Sequence, residues 1–176
     1  MGMKNQKAQS AMEYLMTYGW AILIIAIVLA ALFSLGIFSS SSFTGTTCIA
    51  SSGFLCSSPV WTSGTLHVTL GQSTGTSWTN VTFFFVPAGT ADPTSASAVS
   101  SSTYDIGELN GVSTSTNAID LSSGQTVAIT FDLNGTPTSY SNAPGTSATG
   151  ALWVKYNVPS ASALLSQIAT TTLKES

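Results

Sequence analysis

The 176-residue chain combines a high apolar content with very little charge. Hydrophobic residues make up 44% of it and charged residues only 6%, against roughly a quarter charged in an ordinary soluble domain. Its four basic residues leave a formal net charge of −3. Because there is no basic patch to displace counterions from phosphate groups, no binding to nucleic acid is expected. The length predicts one globular domain, or one domain with an appendage.

The N-terminal part divides into a short polar segment and a long apolar one. Residues 1–8 carry Lys4 and Lys7 as their only charges, and no charged residue occurs between Tyr14 and Phe38. This run exceeds the roughly 20 apolar residues that cross a bilayer core, and it contains no proline that would break a helix. The sequence therefore predicts a continuous membrane-spanning helix over residues 9–38. The two lysines would keep its N-terminus in the cytoplasm and place the rest of the chain outside.

A single acid, Glu13, stands near the start of this helix. A carboxylate at the entrance to a membrane helix is costly, which makes it a candidate functional residue. Two interpretations stay open. Glu13 is hydrated at the headgroup boundary, or it pairs with an amino group and fixes the register of an assembly. A conventional secretory signal is not favoured, because its apolar segment is only about 7–15 residues long.

The stretch from Lys7 to Leu23, KAQSAMEYLMTYGWAIL, closely resembles the N-terminus of archaeal type IV pilins. The resemblance rests on a basic leader that ends in Lys-Ala, on the following Gln-Ser-Ala, and on an acid at the fifth position after the leader. It is restricted to this N-terminal segment. It implies that residues 1–8 form a class III signal peptide, which a prepilin peptidase removes by cleavage between Ala8 and Gln9. It also implies that Glu13 acts in assembly and that a pilus assembly machinery is a partner.

A helix that is apolar on all sides must be covered on all sides, by lipid before assembly and by neighbouring copies in a filament. We therefore expect a structural subunit that polymerises with itself into an extracellular archaeal pilus, used in adhesion. It would reside in the cell membrane as a precursor. The alternatives are a minor pilin and a single-span, membrane-anchored binding module with an extracellular β domain. Small residues that permit close helix contact are Ala21, Ala26, Ala30, Ala31, Ser34 and Gly36.

After a predicted linker over residues 39–47, the pattern of the chain changes. Short runs alternate apolar and polar residues, which is typical of strands with one buried face. Clusters of Gly, Asn, Asp, Pro and Ser separate them. The sequence thus predicts an α+β chain, in which an antiparallel, Ig-like β-sandwich of about seven strands over residues 48–176 follows the helix. The clearest runs are 66–70, 79–87, 127–133, 152–158 and 168–173.

Two aromatic residues disturb this alternation. Phe84 interrupts the pattern of its run, and Trp153 falls in the outward phase of another. Three explanations stay open: the sheet is apolar on both faces, the register of the strand slips, or these side chains form a patch that contacts the next subunit.

The cysteines and two asparagines are candidate sites of covalent modification. Cys48 and Cys56 are either a metal or redox pair or a disulfide. A disulfide is favoured outside the cell, because a metal site needs further ligands. Asn80-Val81-Thr82 and Asn134-Gly135-Thr136 match the N-glycosylation pattern, which makes Asn80 and Asn134 candidate sugar attachment points.

No catalytic pattern occurs in the chain. His67, the only histidine, lies in the polar phase of a predicted strand and is expected on the surface. Nucleophile-elbow, phosphate-loop and dinucleotide motifs are absent from the sequence. The sequence therefore predicts neither an enzyme nor a cofactor or metal site. The acids of the head are scattered and are interpreted as turn and loop residues: Asp92, Asp105, Glu108, Asp120 and Asp132.

Overall fold

The computed structural model describes residues 4–35, 45–135, 137–141 and 143–176. The chain divides into two compact units, residues 1–43 and 44–176. The predicted end of the helix at Phe38 and most of the predicted linker lie outside the described residues.

The first unit contains one long helix, α1, from Lys4 to Ser34. A hydrogen bond from the Leu35 N–H to the Ala31 carbonyl, 3.0 Å long, extends its last turn. The helix thus begins earlier than Gln9, the predicted start. The reason is that residues 4–8, Lys-Asn-Gln-Lys-Ala, include several good helix formers and no Gly or Pro, so they continue the helix of the apolar segment.

The second unit is an antiparallel β-sandwich. Together with α1 it gives the α+β fold that the sequence predicts. Its described residues form these strands: β1 (Thr47–Ala50), β2 (Phe54–Thr62), β3 (Thr65–Gln72), β4 (Trp78–Pro87), β5 (Asp105–Ile106), β6 (Glu108–Leu109), β7 (Val112–Ser113), β8 (Ile119–Leu121), β9 (Thr126–Asp132), β10 (Ser147–Val158) and β11 (Ala161–Lys174).

The strands form two sheets. The first has the order β1-β11-β10-β4-β5, with β8 also paired to β4, and the second has the order β2-β3-β9-β6-β7. The first and the last strand of the head are therefore neighbours, with Thr47 opposite Thr172. The end of the chain is held in place as well, because the Ser176 hydroxyl donates a hydrogen bond to the Trp61 carbonyl at 3.1 Å.

The main core lies between the two sheets and follows from the alternation of apolar residues. Leu66, Val68 and Leu70 of β3 are buried, while His67 between them is exposed. At the end of the core, the Trp78 ring stacks on the Tyr156 ring with a centroid distance of 3.9 Å. Each large side chain that is fully buried in this way stabilises the fold by about 1.5–3 kcal/mol.

A smaller apolar cluster covers the other face of the first sheet. Phe84 and Val86 point away from the main core and pack with Tyr104, which precedes β5. Phe84 is completely buried, and Trp153 is partly buried against the same cluster. The alternation is broken because the first sheet is apolar on both faces at this position. The chain between β4 and β5 covers the outer face.

The prediction of about seven strands was too low, although a strand coincides with each of the five clearest runs; only β9 ends one residue short of its run, at Asp132. The strands β1 and β2 were not predicted: β1 has only four residues, and Ser57, Ser58 and Pro59 interrupt the apolar pattern of β2. Pro59 is tolerated because β2 is an edge strand of its sheet. The strands β5 to β8 have only two or three residues each, too few for a period of two to be visible.

Gly150 of β10 provides a test of this packing. We expect Gly150→Ala to lower the free energy of unfolding by about 1–3 kcal/mol. The added methyl group would overlap the Phe85 ring and lie 2.7 Å from the Val86 carbonyl oxygen. Denaturant unfolding of the detergent-solubilised chain, followed by tryptophan fluorescence, measures the change. Gly45→Ala is the matched control, since a methyl group at Gly45 meets nothing within 4 Å. Equal stability of both variants would contradict the described packing.

Candidate assembly helix and sites of the head

The helix α1 presents an almost continuous apolar surface. Residues 12–34 form a segment that is long and apolar enough to cross a membrane. Apolar residues follow one another directly along it, as in Ile22-Leu23-Ile24-Ile25, so that no face of the helix is polar. The large side chains are exposed, for example 66% of Ile22 and 59% of Ile25. Such a surface requires lipid or other helices to cover it.

The predicted cleavage position lies inside this helix. Ala8 and Gln9 both belong to the second turn of α1, so the peptide bond between them is helical. A protease binds its substrate in an extended conformation, and cleavage at this bond would therefore require the first turns of α1 to unwind. Terminal helical turns open at little cost in free energy, so this requirement is compatible with cleavage.

Glu13 lies in the next turn and is exposed. Its position is four residues after Gln9, which places the two residues on the same side of the helix. The Thr17 hydroxyl donates a hydrogen bond to the Glu13 carbonyl oxygen at 2.7 Å, and the Tyr14 and Tyr18 rings lie 4.5 Å apart. The backbone around Glu13 is thus regular helix. If the chain began at Gln9, its terminal amino group would lie one turn from the carboxylate.

A disulfide joins Cys48 of β1 to Cys56 of β2, with a Cα–Cα distance of 6.0 Å. Because β1 belongs to the first sheet and β2 to the second, this bond ties together the two edge strands on one side of the sandwich. Neither sulfur is free to bind a metal or to act as a thiol. The bond closes a short loop at the point where the head begins, and such loops constrain the unfolded chain.

An exposed apolar patch next to this disulfide was not predicted. Ile49 of β1 is 72% exposed, and Leu55 and Val60 of β2 are each 47% exposed. In the sequence these three residues are isolated apolar positions among Ser, Thr, Gly and Cys, so nothing there indicated that they would be exposed.

The two candidate sugar attachment residues lie in or beside strands of different sheets of the head. Asn80 lies within β4, and Asn134 lies just after β9; both are exposed. The Asn134 N–H donates to Asp132 Oδ1 at 3.0 Å, which holds the start of that connection. Thr136, the hydroxyl residue of the second motif, is outside the described part of the chain.

Three of the scattered acids come together at one cleft. Asp105, Glu108 and Asp132 line it together with Tyr104, and its volume is about 240 Å³. Among the described residues, no group of three His, Cys, Asp or Glu side chains is arranged to hold a metal ion. The sequence had treated Asp105 as a loop residue. It lies instead in β5 and is buried, and its carboxylate accepts a hydrogen bond from the Thr138 hydroxyl.

The environment of Asp105 changes its acidity. Burial removes water from the carboxylate and raises its pKa above the ordinary value of 3.8, and the nearby charge of Asp132 acts in the same direction. The hydrogen bonds from Thr138 act in the opposite direction but do not outweigh burial. The arrangement connects β5 to the segment between β9 and β10.

No known protein family matches the chain, and no curated protein or solved structure matches it either. The function must therefore be inferred from the helix, the head and the N-terminal resemblance.

The buried carboxyl of Asp105 predicts an unusual dependence of stability on pH. Its pKa is raised in the folded state, so the folded chain holds this proton more tightly than the unfolded chain. The contribution of Asp105 to stability is therefore fully present below about pH 3.8 and is lost as the pH rises through the folded pKa. We expect Asp105→Asn, which can still accept from Thr138, to remove this loss. Denaturant unfolding between pH 3.5 and 7 measures it.

The control for this experiment is Asp92→Asn, since Asp92 is exposed. This variant should keep the pH dependence of the unchanged chain. If Asp105→Asn keeps it as well, Asp105 is not the group responsible.

Proposed function

We propose that the chain is the precursor of a structural subunit, a pilin of the archaeal type IV class, which polymerises through α1 into an extracellular filament. The observation that carries this proposal is the uninterrupted helix of 31 residues, whose segment over residues 12–34 is apolar enough to cross a membrane, followed by a head with a closed core of its own. The resemblance of residues 7–23 to such pilins adds the processing step. Adhesion is the use that we propose for the filament.

The division of the chain into two units supports this proposal. The head has a hydrophobic core of its own between its two sheets. The helix is thus available to pack with helices of other copies. At about 1.5 Å per residue, the apolar segment of residues 12–34 is about 35 Å long, which suits both a bilayer and the centre of a helical bundle.

Glu13 has a defined role in the proposal. After a prepilin peptidase cuts between Ala8 and Gln9, the new amino group of Gln9 would carry a positive charge. Pairing with the Glu13 carboxylate, in the same or a neighbouring subunit, would reduce the cost of burying both charges. The pair would also favour one axial position of neighbouring helices over others.

The same observations allow a second candidate function. A single apolar helix also anchors proteins that never polymerise, and α1 meets that requirement equally well. In this case the chain would be a membrane-tethered module whose head binds a target outside the cell, or a minor pilin that occurs in few copies. Neither candidate is an enzyme.

The experiment that separates these functions is mass spectrometry of the N-terminus in the sheared extracellular fraction. We expect an abundant chain that begins at Gln9 in material that sediments as filaments, because cleavage must precede assembly. A chain with an intact Met1 or Gly2 terminus, recovered only from membranes, would rule out the filament. A processed chain present in trace amounts would indicate the minor subunit.

Substitution of Glu13 tests its role in assembly. We expect Glu13→Gln and Glu13→Ala to be processed normally and yet to yield few or no filaments, since both leave the amino group of Gln9 without its partner. Electron microscopy of the sheared fraction, together with the N-terminal mass, measures the two steps separately. Thr17→Ala, one turn further along the same helix, is the control and should assemble. Normal filaments from Glu13→Ala would show that Glu13 is merely hydrated.

A further inference from the structure

Asn80 lies at an irregularity of β4. The pairing of β4 shifts its register between Trp78 and Val81 on the side of β8. Asn80 has a φ of 53°, in the left-handed region that Asn adopts more readily than most residues. Its N–H donates to Asp120 Oδ1 at 3.3 Å. The side chain is exposed, so that a sugar on it meets no obstacle from the head itself.

The other two residues of the same motif are buried. Val81 is completely buried, and Thr82 is only 3% exposed. The Thr82 hydroxyl donates a hydrogen bond to the Thr114 carbonyl oxygen at 3.3 Å, and the Phe83 N–H donates to the Thr114 hydroxyl at 3.2 Å. The hydroxyl that completes the motif is therefore already engaged inside the head.

The strand itself is also enclosed. Val81 is paired with Ile119 of β8, and Thr82 is paired with Lys155 of β10. The motif thus lies on a strand with neighbours on both sides, unlike a motif on a loop that can bend outward. An enzyme that needs all three residues would have to detach β4 from its sheet.

The chemistry of N-glycosylation needs the hydroxyl as well as the amide. The motif requires Ser or Thr two residues after Asn, which indicates that the transferase contacts that hydroxyl. In the transfer, the amide nitrogen of Asn attacks the anomeric carbon of a lipid-linked oligosaccharide and forms a C–N bond. The bond from that carbon to the lipid phosphate oxygen breaks, the phosphate leaves with the electron pair, and the nitrogen gives up one proton to a base of the transferase.

We infer that a sugar can be attached to Asn80 only before β4 is enclosed in its sheet. Once the head has folded, Thr82 is out of reach, and the exposed side chain of Asn80 only carries what was attached earlier. Attachment in the cell presupposes that the head lies outside the cytoplasm, as the proposed function requires. The order of attachment and folding itself depends only on the structure of the head.

The size of the effect follows from the stability of the fold. Exposure of Thr82 requires the loss of its hydrogen bond and of pairing to two strands, which is a local or global unfolding event. Folded proteins populate such states at on the order of 10⁻³ or less. We therefore expect sugar transfer to Asn80 in the folded head to be about a thousandfold slower, or more, than transfer to the same motif in an unfolded segment.

The test uses a purified oligosaccharyltransferase with its lipid-linked oligosaccharide. The substrates are the folded, disulfide-bonded full chain in detergent and a synthetic peptide of residues 76–86. Mass spectrometry of the glycopeptides gives the rate at Asn80 in each. We expect the peptide to be modified and the folded chain to be essentially unmodified. Similar rates, within about tenfold of each other against the thousandfold expected, or an unmodified peptide, would overturn the inference.

A matched variant shows whether the folded chain can be a substrate at all. Ser101→Asn creates the same motif in a turn where Ser101, Ser102 and Thr103 are all exposed. We expect this variant to be modified at position 101 in the folded state, while Asn80 of the same molecule stays unmodified. If position 101 is not modified either, burial of Thr82 is not the reason and the inference fails. None of these outcomes depends on filament formation.

Discussion

A helix without a polar face cannot remain exposed to water, and this constraint governs the whole chain. The apolar surface of α1 must be covered by something outside the chain, first by lipid and, in the proposed function, later by copies of itself. The head has its own core, which lies between its two sheets. Its surface is rich in Ser and Thr and almost without charge. In the proposed function, α1 therefore provides the association between copies, and the head provides the surface that faces water.

Several kinds of contact stabilise the head, which has few charged groups. The main core fills the space between the sheets, and a second cluster around Phe84 covers the outer face of β4. The disulfide from Cys48 to Cys56 joins the edge strands of both sheets where the head begins. Close contact between Gly150 and the Phe85 ring brings β10 tightly against β4. The strand β4 is buried over most of its length and is paired on both sides, which is why a motif on it behaves differently from one on a loop.

Sequence reasoning was most successful where one physical effect dominates. The alternation at Leu66, Val68 and Leu70 predicted β3, because one face of that strand is buried and the other is not. Sequence reasoning failed where contacts between distant parts of the chain determine whether a residue is buried. Asp105 reads as a loop residue, and only the fold reveals that it is buried against Thr138. The start of α1 at Lys4 was missed because the change in polarity at Gln9 was taken as a helix boundary, whereas helix propensity continues across it.

The pairing of β1 with β11 has a consequence for how the head is made. The first strand of the head is completed by the last one, with Thr47 opposite Thr172. Synthesis proceeds from the N-terminus, so β1 must wait for nearly the entire chain before its partner arrives. Pairings between such distant residues also form slowly, since a long loop must close first. The emerging head therefore passes through a period in which its central strands are open to other proteins, while α1 is already made.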